Sequence, residues 1–188
     1  LTEYFAKKFN KKKVAMLIYN KNLSVCPITT HLPLKEVSKV IRKKLIFDKV
    51  KLINNFYRTY MGFKPKIALT GLNPHCESTS KSNEDEKIIK PTISDLKKHQ
   101  FKVYGPYAAD TIFLKKNRKK FNVIVGMYHD QVLTPIKTLF EYDAINITLG
   151  LPFLRISPDH GPNETMLGKN LSSYLSLYKA ISFLEKIK

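Results

Sequence analysis

Three of the five histidines in the chain share one local context. His31 follows the run Ile28-Thr29-Thr30, His75 follows Leu69-Thr70-Gly71, and His129 follows Gly126-Met127-Tyr128. Each run reads as the end of a β-strand, so each imidazole lies just past a strand's C-terminal end. In open α/β sheets such ends share the edge where ligands bind. Three neutral imidazoles suit zinc or a similar divalent ion, with metal–nitrogen distances of about 2.0–2.1 Å and positions left open for substrate. An ion on a substrate hydroxyl lowers its pKa and stabilises the alkoxide formed as hydride leaves. The competing reading is three unconnected surface or core histidines, because the spacing carries no compact C-x-x-C or H-E-x-x-H signature. His99, in a Lys-Lys-His-Gln run, reads as a solvated helix end, and His160 as a structural residue or one that supports the site.

A second group is polar and cationic: Lys137, Asn146 and Arg155. Arginine and lysine beside an amide suit a phosphate monoester. Lys137 is equally a solvated helix face in a chain this basic. Arg155 interrupts the apolar run from Leu149 to Ile156, and a charge there needs a partner or a ligand. Acids are scarce, so Asp110 and Asp130 stand out as groups that orient a metal-bound histidine, bind substrate or move a proton. Helix capping is the alternative for Asp110. Cys76 beside His75 has no base placed next to it by the sequence.

The elements that must hold these residues alternate between strand and helix. Val14–Tyr19 and Leu23–Thr29 read as two strands joined by the turn Asn20-Lys21-Asn22. From Pro33, apolar residues at helical spacing run through Phe56, with Gly62 as the stop. Lys66–Thr70 is a short buried strand. The polar stretch Cys76–Glu86 reads as a mobile loop, and Ile88–His99 as a helix. Phe101–Tyr104 is a strand turned by Gly105-Pro106, and Ala108–Leu114 a short helix. Asn122–Tyr128 is the clearest buried strand, His129–Phe140 a helix despite Pro135, and Ala144–Leu149 another strand. Asn170 or Ser172 caps a final amphipathic helix through Ile187. The alternation argues for an α/β fold with a largely parallel sheet. No G-x-G-x-x-G or P-loop motif is present, so a Rossmann-type nucleotide site is not supported, and the cofactor-binding residues stay unassigned.

The chain has 188 residues, 43% of them hydrophobic, and a formal charge of +18. That is enough to bury a core. The lysines are scattered rather than gathered in a stripe interleaved with aromatics, which argues against a nucleic-acid partner. The charge can still draw an anionic substrate toward a site. Two cysteines make no disulfide framework and suit a reducing cytoplasm. No apolar run approaches the ~20 residues that span a bilayer. The first residue is Leu1, and Thr2–Ala6 reads like the middle of a helix, so further sequence upstream is expected.

Taken in order, Thr29-Thr30-His31-Leu32-Pro33-Leu34, Gly71-Leu72-Asn73-Pro74-His75, Gly105-Pro106-Tyr107-Ala108-Ala109-Asp110-Thr111, Met127-Tyr128-His129-Asp130-Gln131, Asn146–Phe153 and Ser157-Pro158-Asp159-His160-Gly161 resemble the 4-hydroxythreonine-4-phosphate dehydrogenase family of pyridoxal phosphate biosynthesis. The resemblance runs over nearly the whole chain and places it in the C-terminal portion of a two-lobed enzyme. It implies an isocitrate/isopropylmalate-dehydrogenase-like α/β/α sandwich, incomplete at the N-terminus, and a homodimer whose active site is shared between subunits. By the same resemblance His31, His75 and His129 are metal ligands, and Lys137, Asn146 and Arg155 bind substrate. The implied cofactors are NAD or NADP and a divalent metal, zinc first, with magnesium or cobalt as alternatives. The implied reaction oxidises 4-phosphohydroxy-L-threonine, and the keto acid then loses carbon dioxide to give 3-amino-2-oxopropyl phosphate. The chain departs from the family pattern at Cys76-Glu77-Ser78, where Ala-Gly-Glu is usual, and at Pro162-Asn163, where Thr-Ala is usual. Other readings are a related dehydrogenase for a four-carbon sugar-acid phosphate or an aromatic cis-diol acid, and a non-catalytic basic binding protein.

Overall fold

A computed structural model describes residues 2–77, 83–161 and 164–187. Its seven strands form one sheet in the order β4-β3-β5-β2-β1-β6-β7. The strands are β1 (Ala15–Tyr19), β2 (Ser24–Pro27), β3 (Ile67–Thr70), β4 (Val103–Tyr107), β5 (Val123–Gly126), β6 (Ile145–Leu149) and β7 (Arg155–Pro158). β4, β3, β5 and β2 pair in parallel, while β1 is antiparallel to both β2 and β6, and β7 to β6. Five strands therefore point one way, with β1 and β7 against them. The three strands that precede His31, His75 and His129, namely β2, β3 and β5, are direct neighbours in the order β3-β5-β2. Their C-terminal ends share one edge.

Period-two alternation sends successive side chains to opposite faces. Ala15, Leu17, Leu69, Val123, Val125, Ile145 and Ile147 face one core, which α3 (Lys43–Tyr60), α4 (Lys90–Lys98) and α8 (Leu175–Lys186) cover with Ile46, Val50, Ile53, Ile93, Leu96 and Phe183. Met16, Ile18, Val25, Ala68 and Ile124 face the other core, which α5 (Ala109–Ile112) and α7 (His129–Phe140) cover with Ile112, Val132 and Ile136. The result is a three-layer α/β/α arrangement.

Four local expectations differ from what is observed. The long helix expected after Pro33 is two, α2 (Leu34–Val40) and α3, because Ile41 and Arg42 adopt extended backbone. That break keeps Ile41 in the core at 2% exposure. Gly105-Pro106 does not end β4: the strand runs on to Tyr107, which pairs with Thr70 after a register shift. β4 is an edge strand, where a residue without an N–H is tolerated. β7 was not anticipated; all four of its residues are half-buried, so it lacks an alternating pattern. Finally, α8 starts at Leu175 with Tyr174 as its N-cap, not at Asn170 or Ser172. The expected mobile loop at Cys76–Glu86 falls partly on 78–82, outside the described residues. On either side, Pro74–Cys76 forms a 3-10 turn and Asp85–Ile89 a π-helical turn leading into α4.

Candidate functional site

Gln131 ties the strand ends together. It lies in the first turn of α7, and its side-chain amide is buried. Nε2 donates to the Gly71 carbonyl at 2.8 Å, and Oε1 accepts from the Thr70 hydroxyl at 2.8 Å and from the Met127 N–H at 2.6 Å. One side chain thus satisfies backbone groups leaving both β3 and β5, which a buried edge requires. A Cβ on Gly126 would meet Gln131 Oε1 at 3.0 Å and Val132 Cγ1 at 2.4 Å, so glycine there lets α7 approach this closely. On the next strand, the Thr29 hydroxyl donates to the Met127 carbonyl at 2.8 Å and holds the chain leading to His31 against the same edge.

His31 and His129 meet above that edge with ring centroids 6.0 Å apart and planes inclined by 41°. Nδ1 of His129 is 2.6 Å from Asp130 Oδ1. A carboxylate on Nδ1 fixes the tautomer and the ring orientation and leaves the lone pair on Nε2. Two imidazoles bound to one tetrahedral ion set their ring centres on the order of 5 Å apart, so the observed pair is close to the spacing a shared ion needs.

The two rings form part of the wall of a cavity of about 700 Å3, lined also by Met16, Leu133, Lys137, Asn146, Asp159 and His160. Lys137, on α7, donates to the Asp159 carbonyl oxygen and places its ammonium 2.7 Å from Asp159 Oδ2. Asp159, just past β7, is buried, and its N–H donates to Ser176 Oγ of α8 at 2.8 Å. Burial pushes the Asp159 carboxyl up from the usual carboxylate range, and the Lys137 ammonium, followed by His160 and His129, pulls it back. Asn146 enters from β6, where its Oδ1 is buried with no hydrogen-bond partner among the described residues. A buried carbonyl oxygen in that state is set to accept from a ligand.

Arg155 lies outside the cavity lining but on the same sheet face. β7 pairs with β6 through Thr148↔Arg155 and Asn146↔Ser157, so Arg155 is one pleat repeat from Asn146. Its Nη1 donates to Thr148 Oγ1 at 3.1 Å, and the guanidinium lies 5.8 Å from the centre of the Phe5 ring. The fold therefore brings His31, His129, Asp130, Lys137 and Asn146 together, with Arg155 beside them.

His75 and Asp110 are elsewhere. His75 is exposed on the 3-10 turn after β3, and Asp110 is exposed in the first turn of α5. Asp110 is not that helix's cap, which is Ala108. Among the described residues no three His, Cys, Asp or Glu side chains are close enough to hold a metal ion. Of the three histidines, the fold thus brings His31 and His129 near each other within one chain. Sequence reasoning passed over Asp159 and Gln131. The available signal for Asp159 was an acid in a chain with 33 lysines and arginines against 15 aspartates and glutamates. His160, read as structural or supporting, lines the cavity, and His99 is the exposed helix end that was expected.

A model of the family described as pyridoxal phosphate biosynthetic protein PdxA matches residues 1–184. The chain belongs to the PdxA family. It is 44% identical over 183 residues to a 4-hydroxythreonine-4-phosphate dehydrogenase of Sulfurihydrogenibium sp. (strain YO3AOP1), covering 96% of this chain and 56% of that protein. It is 38% identical over 187 residues to the enzyme of the same name from Aquifex aeolicus (strain VF5), covering 99% and 58%. A crystal structure of 4-hydroxythreonine-4-phosphate dehydrogenase from Klebsiella pneumoniae superposes on all of this chain and 57% of its own, with a TM-score of 0.84 at 31% identity. The chain thus spans a little over half the length of the PdxA relatives it matches. Among the described residues no helix is long and apolar enough to cross a membrane.

Proposed function

We propose that this chain carries the metal- and phosphate-binding part of an NAD-linked, divalent-metal-dependent 4-hydroxythreonine-4-phosphate dehydrogenase. The observation that carries the reading is the His31–His129 pair in the wall of a cavity that Lys137 and Asn146 also line, in a chain of the PdxA family. His31 and His129 hold the ion, zinc in the first instance with magnesium or cobalt as alternatives, and Asp130 fixes the His129 ring. His75, exposed on its own chain and not gathered with the pair in any three-residue cluster among the described residues, supplies the third ligand across a homodimer interface. Asp110, near the same strand end, enters the same shared site.

The bound ion supplies Lewis-acid stabilisation of negative charge on the substrate oxygen. NAD, or NADP, would supply the hydride acceptor for oxidation at the carbon bearing the hydroxyl. The chain's own residues bind and orient. Lys137 and Arg155 take the phosphate monoester, for which an ammonium and a guanidinium on one sheet face are suited. Asn146 Oδ1 accepts a hydrogen bond from a substrate hydroxyl or ammonium. Asp159 holds the Lys137 ammonium at the cavity wall, where it is also the group placed to give or take a proton. The oxidised acid then loses carbon dioxide, giving 3-amino-2-oxopropyl phosphate.

The test is metal analysis of the purified protein together with NADH formation from 4-phosphohydroxy-L-threonine, assayed in the protein's native oligomeric state. One bound divalent ion per site and a rate abolished by chelation are expected. A rate indifferent to chelators, or no bound divalent ion, overturns the proposal.

A further inference from the structure

We infer that Asp85 is a positioning residue that presents His75 to its ligand, by clamping the loop between β3 and the 3-10 turn. This inference rests on the metal-ligand role proposed above for His75. Asp85 opens the π-helical turn and is completely buried. Its carboxylate accepts three hydrogen bonds from that one loop. Oδ1 accepts from the Leu72 N–H at 2.9 Å, and Oδ2 accepts from the Asn73 N–H at 3.0 Å and from Asn73 Nδ2 at 2.8 Å. Glu84 Oε2 takes a second contact from Asn73 Nδ2 at 3.2 Å. The approach is so close that a Cβ on Gly71 would lie 2.6 Å from Asp85 Oδ1 and 2.9 Å from Cys76 Sγ. Gln131 holds the same loop from the other side through Thr70 and Gly71, so four consecutive residues, 70 to 73, are fixed by two buried side chains.

What such a clamp is for follows from the next residues. His75 and Cys76 both adopt left-handed backbone, with φ of 58° and 59°. Two adjacent non-glycine residues in that region persist only where their surroundings over-determine them, and such strain gathers at functional sites. The consequence is that Cys76 packs inward while the His75 imidazole is turned out to solvent. Without the clamp the loop can relax, and the ring loses the fixed direction a metal ligand requires. A buried carboxylate bound to backbone N–H groups thus acts on His75 without touching it.

The experiment measures zinc affinity by competition with a chromophoric chelator, in the native oligomer, for wild type, Asp85→Asn, Asp85→Glu and His75→Ala. Hydrogen exchange of the Leu72 and Asn73 amides is followed in parallel. Loss of a residue supporting a metal ligand weakens binding by about 10–100-fold. Asp85→Asn is expected to fall in that range, with the circular dichroism of the folded protein unchanged and with Leu72 and Asn73 losing protection. Asp85→Glu, which keeps the charge, should recover part of the loss. Asn73→Ala, which removes a single donor, keeps the test open should Asp85→Asn fail to fold, and is expected to weaken zinc less. Wild-type zinc affinity in Asp85→Asn, or in Asn73→Ala where Asp85→Asn does not fold, overturns the inference. If His75→Ala binds zinc as wild type does, the ligand assignment falls instead, and unchanged amide protection in Asp85→Asn then overturns the clamp itself.

Discussion

Replacing Lys137 by methionine removes the ammonium facing Asp159 and leaves the rest of α7 in place. Asp159 is buried, and Lys137 Nζ is the cation nearest its carboxylate, at 2.7 Å. Breaking a fully buried ion pair costs about 3–5 kcal/mol, because the remaining charge is stranded. The Lys137 side chain is 37% exposed, so water screens part of the interaction; a loss of about 2 kcal/mol at neutral pH is the discounted figure. For a chain of this size that lowers Tm by roughly 4–8 °C. The pH dependence gives the sharper test. Burial already raises the folded-state pKa of Asp159, and Lys137 is the strongest influence lowering it. A carboxylate with a raised folded pKa opposes folding while ionised; that penalty is present above the folded pKa and disappears as pH falls through it. Lys137→Met raises that pKa further. The stability gap between wild type and variant should therefore be larger at about pH 8 than at about pH 5, because on acidification the variant's Asp159 takes up its proton before the wild-type Asp159 does. Urea unfolding at both pH values measures it. In an Asp159→Asn background, the gap that Lys137→Met opens should lose this pH dependence. A gap of equal size at both pH values would refute the reasoning.

Asp130→Ala removes the carboxylate on His129 Nδ1 and should weaken zinc binding by about 10–100-fold in calorimetric titration, with little change in Tm since Asp130 is exposed. Gly150→Ala should destabilise by more than about 3 kcal/mol, because at φ +91° its Cβ would meet the Lys13 carbonyl oxygen at 2.2 Å. Gly62→Ala, at φ +75° with open space around it, should cost only about 1 kcal/mol in the same urea series. Tyr57→Phe should cost about 1–3 kcal/mol, since its hydroxyl is the 2.9 Å partner of the buried Ser24 hydroxyl.

The sequence was most readable where a single local rule decided the outcome. Val123, Ile124 and Val125 form an uninterrupted β-branched run and emerge as a central, wholly buried strand. The Asn20-Lys21-Asn22 turn correctly joins two antiparallel neighbours. The α7 helix spans His129–Phe140 with Pro135 inside it, as the apolar spacing suggested. Legibility failed where contacts join distant residues. β7 carries Arg155 in the middle of an apolar run, and its partners, Thr148 and the Phe5 ring, lie 7 and about 150 residues away in sequence. With β7 unseen, Asp159 had no reason to be buried, and its ion pair with Lys137 could not be foreseen. The same holds for Gln131, whose partners Thr70 and Gly71 are 61 and 60 residues distant. The strand-end rule placed His31 and His129 together, but it is blind to backbone direction after the strand. At His75 the backbone turns left-handed and the side chain is exposed.

The most direct test of the account is a crystal of the native oligomer grown with zinc and measured at the zinc absorption edge. The account predicts one anomalous peak within about 2.0–2.1 Å of an imidazole nitrogen of His31 and of His129, with a partner subunit's His75 completing the set. A peak bound by other residues, or no peak between these two rings at saturating zinc, would contradict it.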